Sequence, residues 1–136
     1  MKRLAVHICS LAIVLVGAAA LIVGCSSHSA PPKGGSTATV TTGADGVQHV
    51  TIVGDDKDMF VPSTFTVHPG QVDVTLRVAG SIPHDLRFTG ALTASIPVIT
   101  AGKTASVEFT VDKPGRYPFI CTLHQALGMT GTMIVE

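Results

Sequence analysis

The chain has 136 residues, of which 46% are hydrophobic and only 13% are charged, and its nine basic residues balance nine acidic ones. This length supports one modest domain, and the lack of a basic excess argues against nucleic acid as a partner. The only long apolar block lies at the N-terminus, so a core elsewhere must be built from shorter runs.

The first 24 residues have the pattern of an export signal. Two basic residues precede an almost entirely apolar run over 4–23, and Gly24 follows as a small residue before Cys25. The end of the run, 21–25, resembles the lipobox of bacterial lipoproteins, which implies that residues 1–24 are removed and that Cys25 carries lipid, typically palmitate. An uncleaved signal anchor is the alternative, since the run is close to the ~20 residues that a spanning helix needs. Both interpretations predict an extracytoplasmic domain, and the first predicts a lipid anchor in the cell membrane.

A single cysteine remains for the folded part of the chain. Cys9 lies in the signal and Cys25 is the predicted lipid site, so Cys121 has no partner within the mature protein and no disulfide can form there. An unpaired thiol in an oxidising compartment is a liability unless it is buried or bound to a metal. The compartment therefore indicates a function for Cys121.

A flexible tether is predicted for residues 25–46. This stretch consists mostly of Ser, Thr, Gly, Pro and Ala and has almost nothing to bury. The remaining residues, 47–136, are predicted to form the domain.

The predicted domain is a succession of short strands, each with one apolar face. Val72, Val74, Leu76 and Val78 alternate with polar residues, for example. The predicted strands are 47–53, 64–67, 72–78, 86–88, 104–111, 117–121 and 131–135. No helical period is present after the signal. Short strands of this kind fold most readily as two sheets packed face to face, so the sequence predicts an all-β, Greek-key β-sandwich.

Four residues carry donors suited to a metal ion. Cys121, His124 and Met129 have the spacing Cys-x2-His-x4-Met on a short loop between two predicted strands, and His84 begins another strand. The alternation that leads into Cys121 predicts a buried sulfur. A thiolate and two imidazoles with a weak axial thioether suit copper. Zinc is the alternative ion, but methionine is a poor zinc ligand.

The residues around these ligands carry a family resemblance. The pattern Pro-Gly-x-Tyr-x-Phe-x-Cys-x2-His-x4-Met-x-Gly over 114–131 resembles the plastocyanin and pseudoazurin type of cupredoxin, as do the Pro-His-Asp context of His84 and the runs 60–62 and 67–70. The resemblance covers nearly all of 47–136 and implies a Greek-key β-sandwich with one type 1 copper ion. The implied ligands are His84, Cys121, His124 and Met129.

The residue after the first histidine departs from the family pattern. In plastocyanins it is usually asparagine, which ties the two ligand loops together through the residue after the cysteine. These positions are Asp85 and Thr122 here, so the resemblance implies a contact between them. We expect the carboxylate of Asp85 to favour the oxidised ion, because it adds negative charge near copper.

The resemblance implies a one-electron carrier at the outer face of the membrane and not an enzyme. His124 is the expected exit for the electron, and Leu123, Ala126 and Leu127 are expected to form an apolar rim for brief docking of a cytochrome, oxidase or reductase. The protein is expected to be a monomer. The alternative function is copper sequestration or delivery with the same ligands. A multicopper oxidase or nitrite reductase is disfavoured, because the chain has no His-x-His pair for further copper ions.

The remaining candidate residues have simpler interpretations. His49 and His68 are predicted to be solvated, and Met59 and Met133 to lie in the core or at its rim. The acidic cluster 55–58 is predicted to be a polar turn, with a docking patch as the alternative.

Overall fold

The computed structural model describes residues 38–136 of the chain. The predicted signal over 1–24, the lipidation site Cys25 and the first part of the predicted tether lie outside the described residues. Over 38–136, no helix combines the length and the apolar content needed to cross a membrane.

The described chain is folded almost entirely into strands. In order they are β1 (Thr41–Thr42), β2 (Gln48–Asp55), β3 (Met59–Val61), β4 (Thr64–Val67), β5 (Gly70–Val78), β6 (His84–Phe88), β7 (Ser95–Ile99), β8 (Thr104–Val111), β9 (Gly115–Ile120) and β10 (Thr130–Val135). One turn of 3-10 helix, Gln125–Leu127, lies between β9 and β10. The all-β prediction is confirmed, and each predicted strand has a counterpart.

The strands form two sheets of five. The first has the order β1-β2-β5-β8, with β3 also paired to β2, and the second has the order β4-β10-β9-β6-β7. Both sheets are mixed, because β2 pairs with β5 and β4 pairs with β10 in parallel. The inner faces of both sheets contribute to one hydrophobic core, as expected for a sandwich.

The core contains an aromatic cluster directly behind the cysteine. Phe119 on β9 is fully buried, and its ring lies 5.2 Å from that of Phe60, 5.9 Å from Phe65 and 5.4 Å from Phe88. Because side chains alternate along a strand, Cys121 points to the same side as Phe119. Its sulfur is also fully buried, as the alternation predicted.

The folded domain begins earlier than the predicted boundary at Val47. Thr41 and Thr42 pair with β2, the Ala38 N–H donates to the Thr64 carbonyl at 3.4 Å, and Ala38 and Val40 pack against the core. Residues 38–46 therefore do not belong to a flexible tether. Their Thr, Gly and Ala composition suits a short edge strand as well as a linker, so composition could not place the boundary.

Three strand ends bring the predicted ligands to one end of the second sheet. β6 begins with His84, β9 ends just before Cys121, and β10 begins just after Met129. The pairing of Thr130 with Ile120 closes the base of the loop 121–129. The ligand loop is thus held at both ends by adjacent antiparallel strands.

Candidate metal centre

Main-chain hydrogen bonds fix the shape of the loop 121–129. The Cys121 N–H donates to the Met129 carbonyl at 3.1 Å, and the N–H groups of Met129 and Leu127 both donate to the His124 carbonyl, at 3.2 and 3.0 Å. Gly128 ends the 3-10 turn with a left-handed φ of 91°, a conformation that glycine adopts without strain. These bonds connect the backbones of three predicted ligands without help from an ion.

Three donor atoms converge at this end of the sandwich. The Nδ1 atoms of His84 and His124 lie 3.2 Å apart, and the Cys121 Sγ lies 3.9 Å from the first and 3.4 Å from the second. A point equidistant from all three atoms lies about 2 Å from each, close to the ~2.0–2.3 Å bonds that imidazole and thiolate make to a metal ion such as zinc. Two imidazoles and a thiolate in one plane are the donors that suit copper. The three residues therefore fit the ion that the sequence predicts.

Met129 completes the predicted set. Its side chain is fully buried, and its backbone is hydrogen-bonded to both Cys121 and His124. The structure thus gathers all four residues that the sequence singled out.

The imidazole of His84 is oriented by the backbone of β2. Its Nε2 lies 3.0 Å from the Asp55 carbonyl oxygen, which can only accept, so Nε2 carries the hydrogen and Nδ1 presents its lone pair to the donor group. Burial lowers the pKa of His84, although the bond to Asp55 opposes this effect. The ring is therefore held neutral, as a metal ligand must be.

Close approach of the ring requires a glycine on β2. A Cβ at Gly54 would lie 2.7 Å from the His84 Cδ2, closer than packed atoms allow. Sequence reasoning missed both roles, because Gly54 acts through the absence of a side chain and Asp55 through its main-chain carbonyl.

The Cys121 thiol lies in a dry environment. The residue has no exposed surface, and burial raises the pKa of its thiol. The metal-free protein therefore keeps this proton, and metal binding must release it.

The predicted contact between Asp85 and Thr122 is present and consists of two hydrogen bonds. The Thr122 N–H donates to Asp85 Oδ1 at 2.6 Å, and the Thr122 hydroxyl donates to Oδ2 at 2.7 Å. Asp85 is only 4% exposed. The pair ties the start of β6, which carries His84, to the ligand loop.

The turn between β2 and β3 contributes to the centre in a way that the sequence did not reveal. Asp56 accepts hydrogen bonds from the N–H groups of Ser81, at 2.7 Å, and Ile82, at 3.0 Å, just before His84. The bonds from Ile82 and Ser81 lower the pKa of Asp56. Asp58 places Oδ1 at 3.7 Å from the His124 Nδ1. The prediction of a polar turn is correct, but these contacts join segments far apart in the chain and leave no local signal.

The predicted docking rim is exposed. Leu123 and Leu127 are 49% and 57% exposed, Ala126 is also exposed, and the His124 ring between them is 17% exposed. The other three predicted ligands are fully buried, so His124 is the one whose side chain reaches the surface.

The remaining candidates stay away from the centre. His49 pairs with Asp73 at 3.2 Å, and the exposed His68 contacts the Glu136 carbonyl at 3.0 Å. Met133 is fully buried in the core.

Comparisons with known proteins agree with this geometry. A family model described as "Cupredoxin-like domain" matches residues 13–135. Among solved structures, the chain is similar to dithionite-reduced auracyanin from the photosynthetic bacterium Roseiflexus castenholzii, with a TM-score of 0.59 and 21% identity over 72% of this chain and 99% of that one. At this identity the likeness establishes the fold.

Three of the curated relatives are plastocyanins. The chain is 34% identical over 87 residues to the chloroplastic plastocyanin minor isoform of Arabidopsis thaliana, covering 57% of this chain and 50% of that protein. It is 30% identical over 86 residues to plastocyanin A/B of Petroselinum crispum, covering 57% and 88%. The chain spans 50% and 55% of the length of the two Arabidopsis isoforms that it matches.

Proposed function

The chain belongs to the cupredoxin family, whose model spans residues 13–135, and from this premise we propose that it carries single electrons on one type 1 copper ion. The observation that carries the proposal is the convergence of His84, at the start of β6, with Cys121 and His124 on the loop 121–129, since the donor atoms of the three lie within 4.8 Å of one another. Bound there, copper supplies a one-electron redox couple.

The protein contributes a site that needs little rearrangement between oxidation states. The hydrogen bonds within the loop 121–129, the Asp85–Thr122 pair and the Asp55 carbonyl on His84 hold the donors from three directions. Burial of Cys121, His84 and Met129 would exclude water from the inner side of an ion bound there. Because the protein alone holds the donors in place, a change in the oxidation state of bound copper would need little rearrangement, and the barrier to electron transfer would be low.

The exit for the electron in this proposal is His124. Its ring reaches the surface inside the apolar rim formed by Leu123, Ala126 and Leu127. A small apolar contact suits transient docking, since redox partners bind through small interfaces and separate quickly. The partner is a redox protein such as a cytochrome, an oxidase or a reductase.

The proposed location is the outer face of the cell membrane, with Cys25 as a lipid anchor after removal of residues 1–24. The two basic residues at the start, the apolar run over 4–23 and the lipobox-like sequence over 21–25 support it. The wild-type protein recovered from membranes should then begin at Cys25 and carry the mass of attached lipid, whereas the Cys25→Ser variant should carry no lipid. A wild-type protein that is recovered without lipid would contradict the anchor.

One experiment separates electron carriage from copper delivery. Reduced, copper-loaded protein is mixed in a stopped-flow instrument with an oxidised c-type cytochrome, with and without a Cu(I) chelator. An electron carrier reduces the cytochrome rapidly and keeps its copper in the presence of the chelator. Slow cytochrome reduction together with rapid loss of copper to the chelator would contradict the proposal and favour delivery.

A further inference from the structure

The turn between β2 and β3 is held beside the metal centre by hydrogen bonds. The Asp55 carboxylate accepts from the Lys57 N–H at 3.0 Å and from the Met59 N–H at 3.2 Å, which closes the turn. The Asp56 carboxylate fastens it to the segment before His84 through Ser81 and Ile82. The position of this turn is therefore set by the protein itself.

Asp58 lies in this turn, and its side chain is directed toward the predicted ligands. Its φ of 55° lies in the left-handed region, where aspartate and asparagine are the most common residues after glycine. Its Oδ1 lies 3.7 Å from the Nδ1 of His124, one of the three converging donor atoms. That oxygen is shielded from solvent and accepts no hydrogen bond from residues 38–136.

A buried carboxylate oxygen without a hydrogen bond is unfavourable unless a positive charge lies nearby. Asp85 differs in this respect, because Thr122 engages both of its oxygens. Asp58 is also not a member of the group of three residues whose donor atoms lie within 4.8 Å of one another. It therefore lies beside the predicted ligand His124 but outside the ligand set.

We propose that Asp58 tunes the reduction potential of the centre. Its negatively charged carboxylate, which is not a ligand, stabilises divalent copper relative to monovalent copper through space and so lowers the potential. The proposal rests on the proposed function, since it requires copper that changes oxidation state. No bond forms or breaks in this role. One electron enters or leaves the copper, and the fixed negative charge favours the more positive ion.

The test is the reduction potential of the copper-loaded Asp58→Asn protein. Asparagine keeps the shape of the side chain and tolerates a positive φ, so the substitution removes charge with little change in structure. Asp58→Gly removes the same charge and relieves the backbone, and it provides a second reading if the asparagine variant folds poorly. Asp112→Asn is the matched control. Asp112 is exposed and lies just before β9, whereas Cys121 lies just after it, so the strand separates the two residues by about 20 Å.

Both Asp58 variants should show a higher potential and an unchanged visible band. A partly screened unit charge a few ångströms from the ion is expected to change the ratio of Cu(II) to Cu(I) affinity about tenfold, which is about 59 mV for one electron. An unchanged or lower potential, or an equal rise in Asp112→Asn, would overturn the proposal. A displaced visible band would also overturn it, because Asp58 would then be a ligand. A wild-type protein without any visible band would instead refute the copper centre itself.

Discussion

Replacing Asp85 tests whether the two ligand loops depend on one side chain. Asp85→Ala removes both acceptors of the Thr122 N–H and hydroxyl. Hydrogen bonds to charged groups contribute about 1.5–3 kcal/mol each, and the exposed Thr122 can recover part of this from water, so we expect a loss of about 2–3 kcal/mol. In Asp85→Asn the amide oxygen still accepts from the N–H and the amide nitrogen can donate to the hydroxyl, which limits the loss to about 1 kcal/mol.

Urea unfolding of the metal-free proteins measures these losses, because bound copper would add stability by mass action and hide them. For a domain of this size, a loss of 2–3 kcal/mol also lowers Tm by about 10–20 °C. Thr122→Val, which removes only the hydroxyl bond, should fall between Asp85→Asn and Asp85→Ala. The reasoning is refuted if Asp85→Ala is as stable as the wild-type protein or if Asp85→Asn is equally damaging.

The same asparagine variant tests the electrostatic role of the residue. Because Asp85→Asn keeps the tie between the loops and removes a negative charge near the thiolate, its reduction potential should rise. Voltammetry of the copper-loaded proteins measures this, and an unchanged or lower potential counts against the charge effect.

Three further outcomes are expected. Leu127→Lys should slow electron exchange with a redox partner severalfold and leave the visible spectrum unchanged. The control Ala91→Lys, at an exposed position on a loop at the other end of β6, should change neither the exchange rate nor the spectrum. A colour change in Leu127→Lys would assign the residue to the metal site. Gly131→Ala should lower the free energy of unfolding by about 1–3 kcal/mol, because the added Cβ would clash with the Phe119 ring. A variant whose urea unfolding curve matches that of the wild-type protein would contradict this packing. The apparent Cu(II) affinity should rise about tenfold per pH unit from about pH 6 to 8, because burial raises the pKa of the Cys121 thiol and binding releases its proton; a flat profile in a competition titration would contradict it.

The elements that the sequence predicts well are those with local periodicity. The alternation from Val72 to Val78 specifies one buried face of β5, and the alternation before Cys121 places the sulfur in the core. Closely spaced donors such as Cys121 and His124 are equally visible, because a three-residue separation keeps them on one loop whatever the rest of the chain does.

The features that escaped sequence analysis depend on contacts between distant segments. Asp58 meets His124 only because the β2–β3 turn packs against the end of the second sheet, and Gly54 matters only because the His84 ring lies over it. The edge strand β1 was missed for a related reason: two residues paired to one neighbour leave no periodic signal in a Thr-rich and Gly-rich segment.

The central claim is that one thiolate, two imidazoles and a thioether hold a single copper ion in a prefolded β-sandwich. Optical titration of the lipid-free, metal-free protein with Cu(II) tests it most directly. The account predicts an intense visible thiolate-to-copper band that saturates at one ion per chain and is absent in Cys121→Ser. A wild-type protein that stays colourless, or a Cys121→Ser protein of the same colour, would contradict it.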